Sequence, residues 1–377
     1  MLALLVLAVL AIVLVIFFSD GSAQLETAEM KLEMPIQSVV IRDERSISTE
    51  KYSRVNYAVE EGTRVFPDTL VATVYKWGYN DEMAQSLAGI RADIYNMQMQ
   101  ILDGIEYPEL TVLELSIQQK EEAIQLCAME GTGSMLTLER ELKALLQERE
   151  AYLRNAVQPT EELTALYTQE TEKLAQISSY ATDVSATEEG VVSFYFDGYE
   201  EALNAGKMDT INAELIRTAA NGGAGEAGST EETKLYRLIN DTQWSIAFVT
   251  DTQEPLRVVE GKQYTLVFDG YADNLYVGTA LAPVVFDTGV LNVIQFNISI
   301  DALISVRSAH ATLSMNAEGF KINCKALSMK DGVAGIEIVE NGENRRVEVD
   351  VLASDGETAV IQPHGDGALY EGMKYKQ

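Results

Sequence analysis

The stretch from Asp81 to Asp183 constrains the fold of this chain most, because it is long, helical in its pattern and broken at its centre by two glycines. Gly131-Thr132-Gly133 has 50 residues of this stretch on either side. In the first arm, apolar residues recur at alternating spacings of four and three, which places a narrow seam along one side of a helix. A matching seam in the second arm predicts an antiparallel α-helical hairpin with coiled-coil packing. The seam residues are Met83, Leu87, Ile90, Ile94, Met97, Ile101, Leu138, Leu142 and Leu145.

Each arm of the predicted hairpin contains one proline, Pro108 or Pro159. Proline removes a helical hydrogen bond and disfavours helix at the preceding residue, so each arm is expected to consist of two segments. A continuous arm would reach roughly 75 Å at about 1.5 Å per residue. The segment lengths leave a compact four-helix bundle open as the alternative.

The composition argues against several classes of function. The net charge is −30, the pI is near 4.4 and no basic residues are clustered to neutralise phosphates, so a nucleic-acid partner is not expected. Cys127 and Cys324 indicate neither a disulfide framework nor a metal spacing, and His310 and His364 are too few for a zinc cluster. Residues 223–228 match the GxGxxG pattern, but a helical stretch precedes them, which favours a flexible linker. No catalytic, metal or cofactor site is therefore expected, and the chain is not predicted to be an enzyme.

Residues 1–18 are apolar throughout, and 14 of them are Leu, Ile, Val or Phe. Their transfer into a bilayer is favoured by roughly 4 to 8 kcal/mol, so this segment is expected to insert. Gly21 and Ala23 leave a cleaved signal peptide open, but an uncleaved transmembrane anchor is favoured. The body that follows is then expected to lie outside the cytoplasm.

The residues on either side of the hairpin show strand patterns. A polar connector is expected at residues 24–35, and alternating runs with a glycine turn follow, centred on Gly62. A related run returns at Gly190, so the two halves of one β unit are expected to pair across the base of the hairpin, which brings Tyr75 and Gly190 together. From Leu235 onward, short strands separated by Gly turns predict a small β-barrel and then a second β unit.

This order of elements resembles the membrane fusion proteins, also called the periplasmic adaptor or HlyD family. Residues 59–70 and 186–196 resemble the two lipoyl half-motifs of that family. Arg307-Ser308-Ala309 through residues 319–322, then Ala326-Leu327 and a turn at residues 331–332, resembles its barrel exit and last domain.

The chain departs from the family pattern at three places. Cys324 stands where a proline is common, Ser53 or Arg54 stands where a glycine usually opens the first lipoyl strand, and the first arm has no arginine after Arg91. The last departure puts docking onto an outer-membrane channel in doubt, and a single-membrane envelope would explain it.

The resemblance implies an α+β fold that is mainly β. It consists of a transmembrane helix, a lipoyl-like β-sandwich split by an α-helical hairpin, a β-barrel and a C-terminal β domain of the membrane-proximal type. Lipoylation of Lys51 or Lys76 is not expected, because the hairpin replaces the turn that would carry the modified lysine. The expected segments are an anchor (1–18), a connector (19–36), the first lipoyl-like half (37–80), the hairpin (81–183), the second half (184–200), a helix and Gly-rich linker (201–234), the barrel (235–307) and the C-terminal domain (308–377).

The function that the resemblance implies is that of a homo-oligomeric adaptor between an inner-membrane exporter, with the ABC type favoured, and the envelope. Gly131, Thr132, Gly133 and Ser134 at the hairpin tip are then expected to contact a distal partner, and the C-terminal domain is expected to contact the transporter. An envelope scaffold that binds cell-wall or division proteins without a transporter is the alternative.

Overall fold

A computed structural model describes residues 21–103, 107–223, 225, 232–340 and 343–377. The chain divides into two compact units. Of the described residues, those within 21–45, 195–225 and 239–377 belong to unit 1, and those within 46–194 and 232–238 belong to unit 2.

The described elements are mostly strands. The strands are β1 (Ser22–Gln24), β2 (Glu26–Glu50), β3 (Arg54–Tyr57), β4 (Arg64–Val65), β5 (Leu70–Tyr75), β6 (Ala181–Ser185), β7 (Gly190–Ser193), β8 (Glu232–Thr250), β9 (Gln263–Phe268), β10 (Tyr276–Ala280), β11 (Val284–Phe286), β12 (Gly289–Phe296), β13 (Ser308–Asn323), β14 (Ser328–Lys330), β15 (Val333–Glu340), β16 (Glu343–Ser354), β17 (Thr358–Pro363) and β18 (Lys374–Lys376). The α-helices are α1 (Asp81–Ile101), α2 (Pro108–Glu130), α3 (Met135–Ala156), α4 (Glu161–Ser178) and α5 (Ala213–Ala220).

In unit 1, strands β8, β12, β10, β9 and β13 pair in that order around an apolar core. Trp244 lies at the centre of this core, stacked on Phe296 with 4.2 Å between ring centroids, and its indole N–H donates to the carbonyl of Ile298. Gly278 on β10 is required here, because a Cβ at this position would lie 2.6 Å from a ring carbon of Phe296. The alternating inward residues of these strands therefore close a small aromatic core.

Beyond β13 the same sheet continues through β17, β16 and β15, with β18 and β1 added at its edge. Its core consists of aliphatic side chains such as Ile336, Val349 and Ile361, with Leu25 and Tyr375 packed against them. Helix α5 buries Ala213, Ile216 and Ala219, and the last two belong to a third cluster, as expected of a helix with one apolar face.

In unit 2, the two lipoyl-like halves pair with each other. Backbone hydrogen bonds join Gly62 to Val192 at 2.9 Å, and Val65 on β4 pairs with Gly190 on β7. The expected partner of Tyr75 was Gly190, but in the register of β5 and β6 it is Ala181. Strand β6 begins at Ala181, before the predicted end of the helical stretch at Asp183, and the last helix of that stretch, α4, ends at Ser178.

Helices α1 to α4 of unit 2 form a bundle with one shared core. Pro108 does not kink a helix but starts α2 at its first turn, where a missing N–H costs nothing. The hydroxyl of Thr160, directly after Pro159, accepts from the amide of Leu163 and caps α4. The hairpin is therefore folded back on itself, as in the four-helix alternative. Its core residues come from all four helices: Ile94, Leu102, Leu110, Leu153, Val157 and Leu163.

The expected polar connector is instead part of a long strand. β2 pairs with β13 from Glu26 opposite Lys321 to Val39 opposite Ser308. The composition of this stretch is polar, but Leu32 and Ile36 alternate with charged residues and enter the barrel core. The alternation, and not the mean polarity, determines the strand.

The predicted domain boundaries also shift. Residues 37–45 were assigned to the lipoyl-like unit but lie in unit 1. Leu235 and Tyr236 were placed in the barrel but belong to the core of unit 2, whereas Ala311 and Leu313 of the predicted C-terminal domain belong to the barrel core. Strands β2 and β8 each continue past a predicted boundary, and β13 begins at the predicted end of the barrel but packs into the barrel core; local turn signals could not reveal this.

Among the described residues, no helix combines the length and the hydrophobicity of a membrane span. The predicted anchor, residues 1–18, lies outside the described residues.

Candidate interaction sites

The predicted hairpin tip is a tight turn between α2 and α3. Gly131 ends α2 with a φ of +65°, a conformation that favours glycine, and its amide donates to the carbonyl of Cys127 at 2.9 Å. Gly133 follows with a φ of +89°. Ser134 then caps α3 by accepting from the amide of Thr137 at 3.0 Å. The backbone conformation of the turn therefore explains why glycine occupies both tip positions.

The tip lies beside the first lipoyl-like turn of the same unit. The Ser134 hydroxyl donates to the carboxylate of Glu60, and the guanidinium of Arg140 donates to the carbonyl of Ala58. The side chain of Thr132 and the backbone of the two tip glycines remain exposed. Because the hairpin is folded, the tip is not at the end of a long projection.

Ion pairs to one buried carboxylate join three of the four helices. Glu170 on α4 is buried and accepts from Arg91 on α1 at 2.8 Å and from Arg154 on α3 at 2.5 Å. The guanidinium of Arg154 also lies 4.2 Å above the ring of Tyr167. Burial alone would lower the pKa of Arg154, but its bonds to Glu150 and the nearby Glu170 charge raise it. This bridge connects helices from both arms of the hairpin.

A second polar group joins α1, α2 and α3. Tyr95 donates to Glu114 at 3.0 Å, and Arg149 lies 3.3 Å from the same carboxylate and 4.4 Å above the Tyr95 ring. Burial and the bond to Glu114 raise the pKa of Tyr95, so the phenol stays protonated and donates. The apolar seam positions in the sequence give no sign of these pairs, which depend on polar residues between the seam positions.

The predicted seam residues occupy different depths in the bundle. Ile94 is buried in the core, and Ile90, Met97 and Ile101 pack against it. The remaining predicted positions are half-buried: Met83, Leu87, Leu138, Leu142 and Leu145.

A buried charge cluster in unit 1 was not predicted as a site. The guanidinium of Arg307 donates to both oxygens of Asp197, at 2.8 and 3.1 Å, and to Glu44 at 2.6 Å. Arg42 lies 3.9 Å from Asp197. Burial by itself would raise the pKa of Asp197, but the bonds from Arg307 outweigh it and hold that pKa below its usual value of 3.8. The cluster joins β2, β13 and the chain just after β7.

Arg307 was noticed in the sequence only within a motif resemblance, because its partners Glu44 and Asp197 lie far from it along the chain. Elsewhere in unit 1, His364 lies 2.7 Å from Asp350. Within the described residues, no group of three or more His, Cys, Asp and Glu side chains could hold a metal ion.

Part of the chain, with the helical bundle and the Glu44 and Asp197 carboxylates, matches a known domain family. Residues 44–228 match the family model described as "RND related, barrel-sandwich hybrid domain". The matched range includes both lipoyl-like halves and the helical insertion between them. No curated protein sequence matches the chain.

Three solved structures that are similar to this chain are ZneB, MacA and a membrane fusion protein. ZneB from Cupriavidus metallidurans is 13% identical, with 94% of this chain and 91% of that chain covered and a TM-score of 0.34. MacA from Actinobacillus actinomycetemcomitans is 10% identical, with 94% and 98% covered and a TM-score of 0.31. The membrane fusion protein Spr0693 from Streptococcus pneumoniae R6 is 10% identical, with 74% and 98% covered and a TM-score of 0.28.

These TM-scores are too low to support an inference, so the family follows from the domain match. A barrel-sandwich hybrid domain of the RND-related type, split by a helical insertion, is what the matched residues form. Residues 44–228 belong to the family of RND-related barrel-sandwich hybrid domains.

Proposed function

We propose that this protein is a membrane-anchored adaptor that couples an inner-membrane exporter of the ABC type to efflux or secretion across the cell envelope. The observation that supports it is the match of residues 44–228 to the RND-related barrel-sandwich hybrid domain. In this proposal residues 1–18 hold the chain in the membrane as a single span, and the body lies outside the cytoplasm. The role is non-enzymatic, because it consists of holding partners in position.

The proposal assigns partner contacts to two regions. The C-terminal residues 308–377 contact the exporter, and the tip residues Gly131 to Ser134 contact a distal partner. Since Ser134 donates to Glu60, a partner that binds its hydroxyl has to replace that carboxylate. Thr132 is exposed and is the tip side chain that a partner can reach without breaking this bond.

Site-specific photo-crosslinking in native membranes tests the exporter contact. A photoreactive residue at Tyr370, which is exposed in the C-terminal region, is expected to capture a permease or its associated ATPase. The matched control is the same residue at Glu161, which is exposed at the start of α4 and is expected to capture neither. Mass spectrometry identifies the captured proteins.

The outcomes separate the adaptor from its alternative. Capture of an ATP-hydrolysing transporter at Tyr370 supports the ABC assignment, and capture of an exporter driven by an ion gradient keeps the adaptor but overturns that assignment. Wall-synthesis or division proteins without any exporter would support the envelope scaffold instead. That alternative is favoured by one departure, the absence of arginine after Arg91 in the first arm.

A further inference from the structure

The hairpin of unit 2 consists of two helix pairs that are folded against each other. Helix α1 packs along α4, and we call these two the outer pair; α2 packs along α3, and we call these two the inner pair. Each pair has an ion pair of its own, from Arg91 to Glu170 at 2.8 Å in the outer pair and from Lys120 to Glu141 at 2.6 Å in the inner pair. The fold of one pair against the other therefore depends on a separate set of contacts.

The shared apolar cluster joins the two pairs at one end of the inner pair. On the α2 side the cluster includes Tyr107 and Leu110, and on the α3 side it includes Tyr152, Leu153 and Val157. Most of α2 lies beyond Leu110, and most of α3 lies before Tyr152. The cluster thus holds the two pairs together near the point where the chain passes from one pair to the other.

Two arginines of α3 also bond the inner pair to the outer pair. Arg154 lies 2.5 Å from Glu170 on α4, and the guanidinium of Arg149 lies 4.4 Å from the centre of the Tyr95 ring on α1. The side chains of Arg154 and Arg149 are 37% and 21% exposed, so water reaches both. Such contacts stabilise less than fully buried ones, because water offers the same groups another partner.

The tip of the inner pair is held against the first lipoyl-like turn by two further polar contacts. The Ser134 hydroxyl donates to the carboxylate of Glu60, and the guanidinium of Arg140 donates to the carbonyl of Ala58. Arg140 is an exposed residue. In this position the lipoyl-like turn accepts the hydrogen bonds that Ser134 and Arg140 could donate to another protein.

The charge of the hairpin opposes its folded form. Residues 81–183 contain 19 acidic and seven basic side chains. Folding the inner pair back on the outer pair brings the excess of like charges closer together than a straight hairpin would. Three of the seven basic side chains, Arg140, Arg149 and Arg154, make the contacts that hold the fold, and we call them the α3 arginines.

The second arm has a joint at which the hairpin can straighten. Helix α3 ends at Val157 and α4 is capped by Thr160, and both residues have extended backbone, with ψ of 124° and 172°. Pro159 between them prevents the two helices from merging into one unbroken ladder of hydrogen bonds. Rotation at a few such residues at helix ends is how hinges work in proteins.

We propose that the folded hairpin is a closed form, in which the α3 arginines keep the tip on the first lipoyl-like turn, and that release of these contacts straightens the hairpin and frees the tip. Helices α1 and α2, with 21 and 23 residues, then span about 66 Å end to end at about 1.5 Å per residue. Both helix pairs stay intact. A partner that accepts hydrogen bonds from Ser134 and Arg140 favours the straight form, because it binds only the freed tip.

Distances between two spin labels, measured by electron paramagnetic resonance, test the straightening. The labels are attached to Thr132→Cys at the tip and to Glu189→Cys, both at exposed positions, in a full chain that also carries Cys127→Ala and Cys324→Ser. Glu189 directly precedes β7, which pairs with β4 after the first lipoyl-like turn, so the closed form keeps the labels close together. The straight form separates them by about 66 Å or more.

Arg149→Met combined with Arg154→Met is expected to shift the distance from short to long. The matched control is Arg91→Met. Arg91 bonds the same Glu170 carboxylate as Arg154 does, but it belongs to the same helix pair as Glu170, so this variant is expected to keep the short distance. Circular dichroism separates straightening, which preserves the helix content, from unfolding, which lowers it.

The straightening requires no exporter, so its test stands apart from the proposed function. A short distance that persists in Arg149→Met with Arg154→Met overturns the proposal, and so does a lower helix content in that variant. An equal shift in Arg91→Met would show that the loss of any partner of Glu170 is enough, which overturns the role of the α3 arginines. A long distance before any arginine is changed overturns the closed form itself.

Discussion

The charge cluster around Arg307 makes a quantitative prediction about the stability of unit 1. Its side chain is 7% exposed and that of Glu44 is 0% exposed, so Arg307→Met leaves two buried carboxylates without the guanidinium that bonds them. Breaking a buried pair by removing one partner costs roughly 3 to 5 kcal/mol. Because Arg42 remains 3.9 Å from Asp197, we expect a loss near the lower end, about 3 kcal/mol.

Tryptophan fluorescence during urea unfolding measures this loss in unit 1 alone. The chain has two tryptophans, of which Trp244 is buried in the barrel core of unit 1 and Trp77 is exposed in unit 2. Trp77→Phe therefore gives a background in which the signal comes only from unit 1. With a slope of about 3 kcal/mol per molar urea, Arg307→Met is expected to lower the midpoint by about 1 M.

The matched control is Arg345→Met, which removes a surface arginine 3.8 Å from Glu340. Both side chains of that pair are about half exposed, so the expected loss is about 0 to 1 kcal/mol. Arg307→Met with a loss no larger than the control would refute the argument that buried carboxylates need this guanidinium. Arg307→Met combined with Glu44→Met is expected to lose less than the two single variants added together, since the double variant no longer contains the Glu44 carboxylate that Arg307→Met alone leaves buried without its guanidinium.

The same experiment at low pH has a predicted sign. The folded-state pKa of Asp197 lies below its usual value of 3.8, so its paired carboxylate contributes stability above pH 4. This contribution disappears as the pH falls below about 4 and through the lowered pKa of the folded state. The difference in stability between the unaltered protein and Arg307→Met is therefore expected to shrink between about pH 4 and pH 2. A difference that stays constant or grows in this range would contradict the assignment of the lowered pKa to Arg307.

Two further predictions concern unit 2. Leu153→Ala is expected to destabilise the helical bundle by about 2 to 5 kcal/mol, because Leu153 is fully buried in its core. Leu174→Ala, on the exposed side, is expected to cost much less. Circular dichroism during thermal unfolding measures the helix content of both variants. Gly78→Ala is expected to destabilise unit 2 by about 1 to 3 kcal/mol, since Gly78 has a φ of +106° and a Cβ would lie 2.8 Å from the ring of Tyr180. Gly89 lies in α1 with open space around it, so Gly89→Ala is expected to stabilise by up to about 1 kcal/mol in the same assay. Equal effects of the two glycine substitutions would show that neither the backbone conformation nor the contact matters.

Features with a local signal in the sequence were predictable, and features made by distant residues were not. The tip turn was found because glycine has a specific backbone role, and the strands β9, β12 and β15 were found because apolar residues alternate between turns. The folded state of the hairpin depends on Glu170 meeting Arg91 and Arg154, three residues from three helices. A periodic pattern of apolar residues gives no indication of an ion pair between distant helices.

The long strand β2 shows the same limit for a different reason. Its alternation was present in the sequence, but mean polarity and Pro35 favoured a connector. Pro35 is accommodated opposite Thr312 in the pairing with β13. A prediction based on alternation alone would have found this strand. It would not have identified β13 as the pairing partner, because β13 lies almost at the other end of the chain.

The separation of β2 and β13 along the sequence has a consequence during synthesis of the protein on the ribosome. Glu26 at the start of β2 pairs with Lys321, 295 residues later. At about 5 to 20 residues per second, roughly 15 to 60 s pass between the synthesis of the strand and the synthesis of its partner. During that interval β2 offers an unpaired edge to any other nascent chain, which is a hazard for aggregation. The residues of unit 2 all lie within 46–238, so unit 2 can fold before β13, the partner of β2, has been synthesised. The alternating charges of Glu29, Lys31 and Glu33 on β2 then serve a purpose before folding as well as after it, because they discourage neighbouring chains from pairing with the exposed edge.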